Sequence, residues 1–241
     1  MRNFVVEIGN TALKAAWADG ITIGKTFRYH GEKKLEFIIS SIEGNSPDIL
    51  VISSVAEIPL KWESVLSKMC IRLVLMDSRH GDVTSSLQLP QWLTPDRTAS
   101  IAASRFLFNG KPVTIFDFGT TLSIDFLSAD GSYEGGLISP GCRTRFKSIY
   151  RYSKALPLLD TPENPPVKGT SVESSIAAGV ISGIMFEIDG HLDSNPDNIV
   201  VFTGGDANYF AKRLKKSIFV VCNLVLMGLA LIAEKFYESN R

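Results

Sequence analysis

Short apolar runs at Val5–Ile8, Ala15–Trp17 and Ile21–Ile23, broken by Gly9-Asn10 and Asp19-Gly20, predict three strands joined by tight turns. Leu35, Phe37, Ile38, Ile39 and Ile42 then recur at helical spacing, and Ile49–Val55 suits a buried strand. Pro59–Met69 reads as a second helix, Leu73–Met76 as a strand, Asp77–Leu93 as a polar loop, and the stretch from about Arg97 to Phe108 as a helix. After Asn109-Gly110 the same order begins again. Val113–Phe118, Leu122–Leu127 and Tyr133–Ile138 predict three strands, with turns at Gly119 and Asp130-Gly131. Helices over about Gly141–Ala155 and Thr170–Ile188 follow, separated by a proline-rich loop. The chain ends on a strand Ile199–Thr203, a helix Ala207–Leu214, a strand Ile218–Cys222 and a last helix.

Each half therefore runs approximately βββ-α-β-α-β-α, with one extra helix in the second. Val6-Glu7-Ile8-Gly9-Asn10-Thr11 aligns with Phe116-Asp117-Phe118-Gly119-Thr120-Thr121, each position offset by 110 residues. Six positions alone are weak, but the matching order of elements makes an internal duplication the better account. The expected organisation is an α/β protein of two lobes, 1–109 and 110–241, whose equivalent turns meet across one cleft.

Composition narrows the partners. The 241 residues are 45% hydrophobic, enough for a sizeable core, and 25 basic residues balance 25 acidic ones. A neutral chain offers no field for a nucleic-acid backbone or an anionic membrane. Phe219–Ala233, the most apolar stretch, is broken by Asn223 and Gly228 and falls short of a membrane span. Cys70, Cys142 and Cys222 are distant from one another and show no zinc spacing, which suits reduced thiols in the cytoplasm.

The two acidic-glycine-threonine turns carry the candidate chemistry. Glycine admits a phosphate close to backbone amides, and Asn or Thr side chains add donors. The acid can hold a cation beside the phosphate, and Lys14 can neutralise charge on it. Either turn alone is more simply an ordinary hairpin; as a duplicated pair, phosphate binding is the stronger reading. A third turn, Thr203-Gly204-Gly205-Asp206, follows a strand and precedes a helix. It reads either as a flat surface for an adenosine or as a tight connection with Asp206 as helix cap.

These residues resemble those of type III pantothenate kinases, within the actin and sugar-kinase superfamily. The resemblance rests on Glu7–Thr11, Pro95-Asp96-Arg97, Asp117–Thr120, Gly135–Gly141, Gly169-Thr170 and Thr203–Asp206, six segments in the family's order spanning nearly the whole chain. It implies a duplicated actin-like (ribonuclease H-like) fold that uses ATP, magnesium and potassium or ammonium to phosphorylate pantothenate, the first step toward coenzyme A. It also implies a cytoplasmic homodimer. Carried over by position, Glu7, Ile8, Gly9, Asn10, Thr11 and Lys14 form the first phosphate-binding segment, and Thr120, Gly204 and Gly205 also meet ATP. Asp96 is the general base; Thr94, Pro95, Arg97 and Thr170 contact pantothenate with it. Asp117 holds the monovalent cation and Glu7 bears on magnesium through water.

Several of these residues also have plain structural roles. Pro95 and Asp96 suit a helix start, Thr170 with Glu173 spells a capping box, and the basic run Arg143, Arg145, Lys147, Arg151 and Lys154 suits a solvated helix face or an interface edge. Three positions depart from the family pattern: Glu7 stands for Asp, Thr94 for Gly, and Leu87 for a tyrosine near the substrate. They leave three readings open: a divergent active kinase (the favoured one), a kinase for another small alcohol, or a nucleotide-binding regulator that has lost the chemistry.

Overall fold

The computed structural model describes residues 2–238, the side chains of the last two excepted. It comprises two compact units, Met1–Leu107 with Asn223–Arg241, and Phe108–Cys222. The division differs from the expected 1–109 and 110–241 in two respects: the boundary falls two residues earlier, and the last helix belongs by its contacts to the first unit.

The first unit holds β1 (Asn3–Ile8), β2 (Leu13–Asp19), β3 (Thr22–Tyr29), α1 (Lys34–Ile42), β4 (Ile49–Ser54), α2 (Leu60–Leu66), β5 (Arg72–Met76), α3 (Asp82–Ser86), α4 (Pro95–Leu107) and, from the end of the chain, α8 (Leu224–Glu238). Its sheet runs β3-β2-β1-β4-β5, with β1 antiparallel to β2 and parallel to β4. Both faces of β1 are covered, so the strand is apolar almost throughout. Phe4, Val6 and Ile8 join Ile38 and Ile42 of α1 on one face. Val5 joins Ala99 of α4 and Leu226 and Leu229 of α8 on the other. Asn3 shares the second face, where its Nδ2 donates to Glu234 Oε1 of α8 at 3.0 Å. By the two-residue period of a strand, Glu7 also points to the α4 and α8 side.

The second unit holds β6 (Val113–Phe118), β7 (Thr121–Leu127), β8 (Tyr133–Pro140), α5 (Cys142–Tyr152), α6 (Val172–Ser194), β9 (Ile199–Gly204), α7 (Ala207–Ala211) and β10 (Phe219–Val220). Its sheet runs β10-β9-β6-β7-β8. Element for element this is the order of the first sheet, with the same senses of pairing. The duplication read from the sequence is thus reproduced in strand topology.

Several local expectations are corrected. The loop Asp77–Leu93 contains the short helix α3, β3 extends to Tyr29, and the expected strand Ile218–Cys222 is ordered as a ladder only at Phe219–Val220. The cap of α6 is Ser171, which shares a capping box with Ser174; Thr170 lies one residue outside it. Glu173 instead accepts a bond from Ser171 Oγ at 3.0 Å. Serine served as well as threonine and glutamate, so the sequence held two overlapping candidates one residue apart. In the basic run, Arg145 is not merely solvated: it bonds Glu187 of α6 and the Pro140 carbonyl, tying two helices together. No helix among the described residues is long and apolar enough to cross a membrane.

Candidate active site

In the first unit the β1–β2 register sets Glu7 directly opposite Lys14, and Lys14 Nζ lies 3.2 Å from Glu7 Oε2. Burial pushes the Glu7 carboxyl above its ordinary value; Lys14 opposes the shift, and the negative charge of Asp96 adds to it. That mutual influence places Asp96 near Glu7, as the parity of β1 requires. Between them the chain turns at Gly9–Ala12, closed by Gly9 N–H donating to the Ala12 carbonyl at 3.0 Å. Asn10 and Thr11 are exposed on this turn, while the Ile8 side chain is buried in the core, leaving only its backbone to face a ligand. The Ile8 carbonyl accepts from Val55 N–H at 3.2 Å.

Asp96 and Arg97 open α4. The Thr94 carbonyl accepts the first helical bond, from Thr98 N–H at 2.9 Å, so Thr94 caps the helix and Pro95 occupies the first turn, where its missing donor costs nothing. Asp96 Oδ1 is buried and has no hydrogen-bond partner. A buried carboxylate oxygen without a partner is costly, and such groups concentrate where a ligand will satisfy them. Arg97 is buried, with its guanidinium 5.5 Å from the Trp92 ring centroid. The helix is held by α8, where Gly228 packs so closely on Ala99 that a Cβ would collide with the Ala99 backbone.

A cavity of about 470 Å³ in this unit is lined by, among others, Ser54, Arg79, Trp92, Thr94 and Pro95. One wall is organised by Asp77. Its carboxylate accepts from Ile58 N–H at 2.7 Å, Arg79 N–H at 2.9 Å and His80 N–H at 3.1 Å, with His80 Nδ1 at 2.7 Å. Burial pushes this carboxyl up, but those hydrogen bonds outweigh it and hold the group below its ordinary value. Leu87 lies away from the cavity, packed against the core, and its carbonyl accepts from Arg105 Nη1 at 2.7 Å. Asp77 and Trp92 were not singled out by sequence reading. A lone tryptophan in an otherwise polar, proline-flanked loop was the available signal.

In the second unit the corresponding turn is one residue shorter. Gly119 N–H donates to the Thr121 carbonyl at 3.0 Å, and Asp117 pairs in register with Ser123, which takes the place Lys14 has in the first unit. The offset of 110 therefore holds along the strands β1 and β6 and slips within the turn. The Thr120 carbonyl accepts from Gly141 N–H at 3.1 Å and Thr144 Oγ1 at 2.6 Å, which seats the start of α5 on the turn. Gly204 has φ of +89°, and a Cβ there would lie 2.5 Å from both Asp117 Oδ1 and the Phe118 carbonyl oxygen. Only glycine lets β9 end against these two oxygens. Gly205 is exposed beside it. Asp206 stands before α7 but makes no side-chain cap bond, and burial raises its carboxyl. Thr170 is exposed at the start of α6, its amide donating to Ser174 Oγ at 2.9 Å.

Glu7, Lys14 and Asp96 are thus gathered in one unit, and Asp117, Thr120 and Gly204 in the other. Among the described residues no three His, Cys, Asp or Glu side chains gather to hold a metal. A divalent ion here would take one or two carboxylates, from Glu7 and Asp96, and complete its shell with water and phosphate oxygens, a habit that suits magnesium. Asp117 Oδ1 and the Phe118 carbonyl converge as hard oxygen donors of the kind a monovalent cation takes.

Duplicated five-stranded sheets with a glycine turn after the first strand of each define the actin-like class to which the sugar kinases belong. Among solved structures, the chain is similar to a ROK hexokinase from Thermus thermophilus, with a TM-score of 0.56 and 12% identity over 98% of this chain and 100% of that one. It is likewise similar to a protein from Campylobacter jejuni assigned to the Baf family of transcriptional activators, with a TM-score of 0.68 and 19% identity over 98% and 99% of the two chains. At these identities the likeness is one of fold. Sequence is more specific: residues 3–194 match the family model described as Type III pantothenate kinase. A type III pantothenate kinase of Cytophaga hutchinsonii is 32% identical over 232 residues, covering 94% of this chain and 96% of that protein. The chain belongs to the type III pantothenate kinase family.

Proposed function

We propose that this protein transfers the γ-phosphoryl group of ATP to the terminal hydroxyl of pantothenate, giving 4'-phosphopantothenate, the first step toward coenzyme A. Beyond family membership, the observation that carries this reading is Asp96 Oδ1, buried without a partner at the head of α4. An acceptor hydroxyl satisfies that oxygen. Asp96 then takes the hydroxyl proton as the oxygen attacks phosphorus and the bond to ADP breaks.

The other residues position and neutralise. Backbone amides of Gly9–Thr11 and the Asn10 and Thr11 side chains bind phosphate oxygens, with Lys14 compensating their charge. Thr120 meets ATP, and the bare surface of Gly204 and Gly205 accepts the adenosine. Thr94, Pro95, Arg97 and Thr170 contact pantothenate. Magnesium is held at Glu7, with Asp96 nearby, and supplies charge neutralisation on the phosphates. Asp117 with the Phe118 carbonyl holds potassium or ammonium. Tyr150, Tyr152, Leu158 and Phe186 are exposed apolar side chains of the second unit, which supports a homodimer joined through that unit. The enzyme works in the cytoplasm.

The test is ATP consumption by purified protein with and without pantothenate, in sodium and in potassium. Consumption that depends on pantothenate and rises with potassium is expected. ATP use indifferent to pantothenate, or nucleotide binding with no turnover, overturns the reading.

A further inference from the structure

The feature of the first unit that the proposed chemistry leaves unexplained is Trp92, a tryptophan 64% exposed on the wall of the cavity. Its exposure is enforced by a chain path fixed on either side. Helix α3 ends in a Schellman motif: Leu89 N–H donates to the Thr84 carbonyl at 3.2 Å and Gln88 N–H to the Ser85 carbonyl at 2.9 Å. Gln88 takes the left-handed conformation, with φ of 56°. This buries Leu89, and a turn closed by Leu93 N–H donating to the Pro90 carbonyl at 3.0 Å buries Leu93. Gln91 Nε2 ties the turn back to Ser85 Oγ at 3.1 Å. Trp92 is thus held outward between two buried leucines.

A large apolar side chain fixed in an exposed position beside a cavity is better suited to a ligand than to the core. The ring already has one partner on the protein side, the Arg97 guanidinium. The residue at the position where the family carries a tyrosine, Leu87, is turned into the core instead. An aromatic wall is therefore present in the cavity but comes from a different position in the loop.

We infer that Trp92 is a specificity-determining contact for the acceptor, packing its indole against the dimethyl-bearing carbon beside the CH2 whose hydroxyl is phosphorylated. The inference rests on the pantothenate reading. Pantothenate carries two methyl groups on the carbon next to the CH2 that bears its terminal hydroxyl, and Thr94 and Pro95, on the cavity wall, directly precede Asp96, so a hydroxyl delivered to Asp96 brings those methyls to the cavity. Burying two methyl groups accounts for roughly a tenfold preference over an acceptor that lacks them.

Steady-state kinetics of the full chain on pantothenate and on its analogue without the two methyl groups test this, using Trp92→Ala and Trp92→Phe. For Trp92→Ala the KM for pantothenate rises about tenfold, kcat stays within about twofold, and the preference for the methylated acceptor collapses. Trp92→Phe restores most of the affinity and the preference. Pantothenate also quenches tryptophan fluorescence of the parent protein in the absence of ATP, and Trp92→Phe abolishes the quench, since Trp17 and Trp62 pack against the core of β1 and α1. An enzyme that phosphorylates pantothenate with KM and preference unchanged in Trp92→Ala overturns the inference and leaves the function standing. A parent protein that does not phosphorylate pantothenate overturns both. Should Trp92→Ala fail to fold, the phenylalanine variant's quench decides: a quench that persists in it overturns the inference.

Discussion

Glu7 and Lys14 face each other across the first hairpin, 3.2 Å apart, with side chains only 14% and 22% exposed. The pair joins the acid of the glycine turn to the cation proposed to meet phosphate, so each residue keeps the other in place until a ligand arrives. In the second unit the same register sets Asp117 opposite Ser123.

Replacing Lys14 with Met leaves a buried carboxylate without its main counter-charge. We expect a loss of about 2 kcal/mol in stability, between the values for exposed and buried pairs, and a raised KM for ATP. The pH dependence has a definite sign. Glu7 has a raised folded-state value, so its contribution is fully present below the unfolded value and is lost as pH rises through the folded one. Removing Lys14 raises that value further, so the deficit of Lys14→Met grows as pH rises above the ordinary glutamate value in urea unfolding. A deficit independent of pH shows that Glu7 does not titrate in the folded protein.

Asp96→Asn keeps the shape of the side chain and removes the base. Turnover is expected to fall by about 10²–10⁴-fold, with the melting temperature unchanged or raised because a buried charge is gone. Near-normal turnover in a pantothenate-coupled assay rejects Asp96 as the base.

Gly228→Ala sets a methyl against the Ala99 backbone and must push α8 away from α4. The expected cost is about 1–3 kcal/mol, with a fall in kcat because α4 carries Asp96. Gly204→Ala forces a left-handed residue against Asp117 and Phe118 and is expected to cost about 1–3 kcal/mol. Thermal unfolding measures both; equal stability to the parent in either shows the close approach to be absent in solution.

Asp77→Asn loses a carboxylate that accepts bonds from three backbone amides and His80. We expect a loss of about 2–3 kcal/mol at pH 7. Because hydrogen bonding holds this carboxyl low despite its burial, its stabilisation is present above the unfolded value and lost as pH falls through the lower folded one. The gap between parent and Asp77→Asn therefore narrows below about pH 4, as seen by chemical unfolding across that range.

Strand and helix order were legible in the sequence because each period is set locally. Val5–Ile8 and Val113–Phe118 are covered on both faces and read as largely apolar runs interrupted by Glu7, Thr114 and Asp117, and the acidic-glycine turns stood out by repetition. That repetition fixed the duplicated topology, and with the family's motifs it pointed to Asp96. Contacts between distant segments were not legible. Nothing near Leu224–Glu238 says that this helix packs on α4 and β1 of the first unit, since an apolar helix face is not addressed to one partner. The one-residue slip between the two glycine turns emerged only from strand register, and the choice of Ser171 over Thr170 as cap only from the backbone. Likewise Trp92 read as one residue of a polar loop; the Schellman turn at Gln88 and two buried leucines, acting over distances the sequence does not record, are what hold it against the cavity.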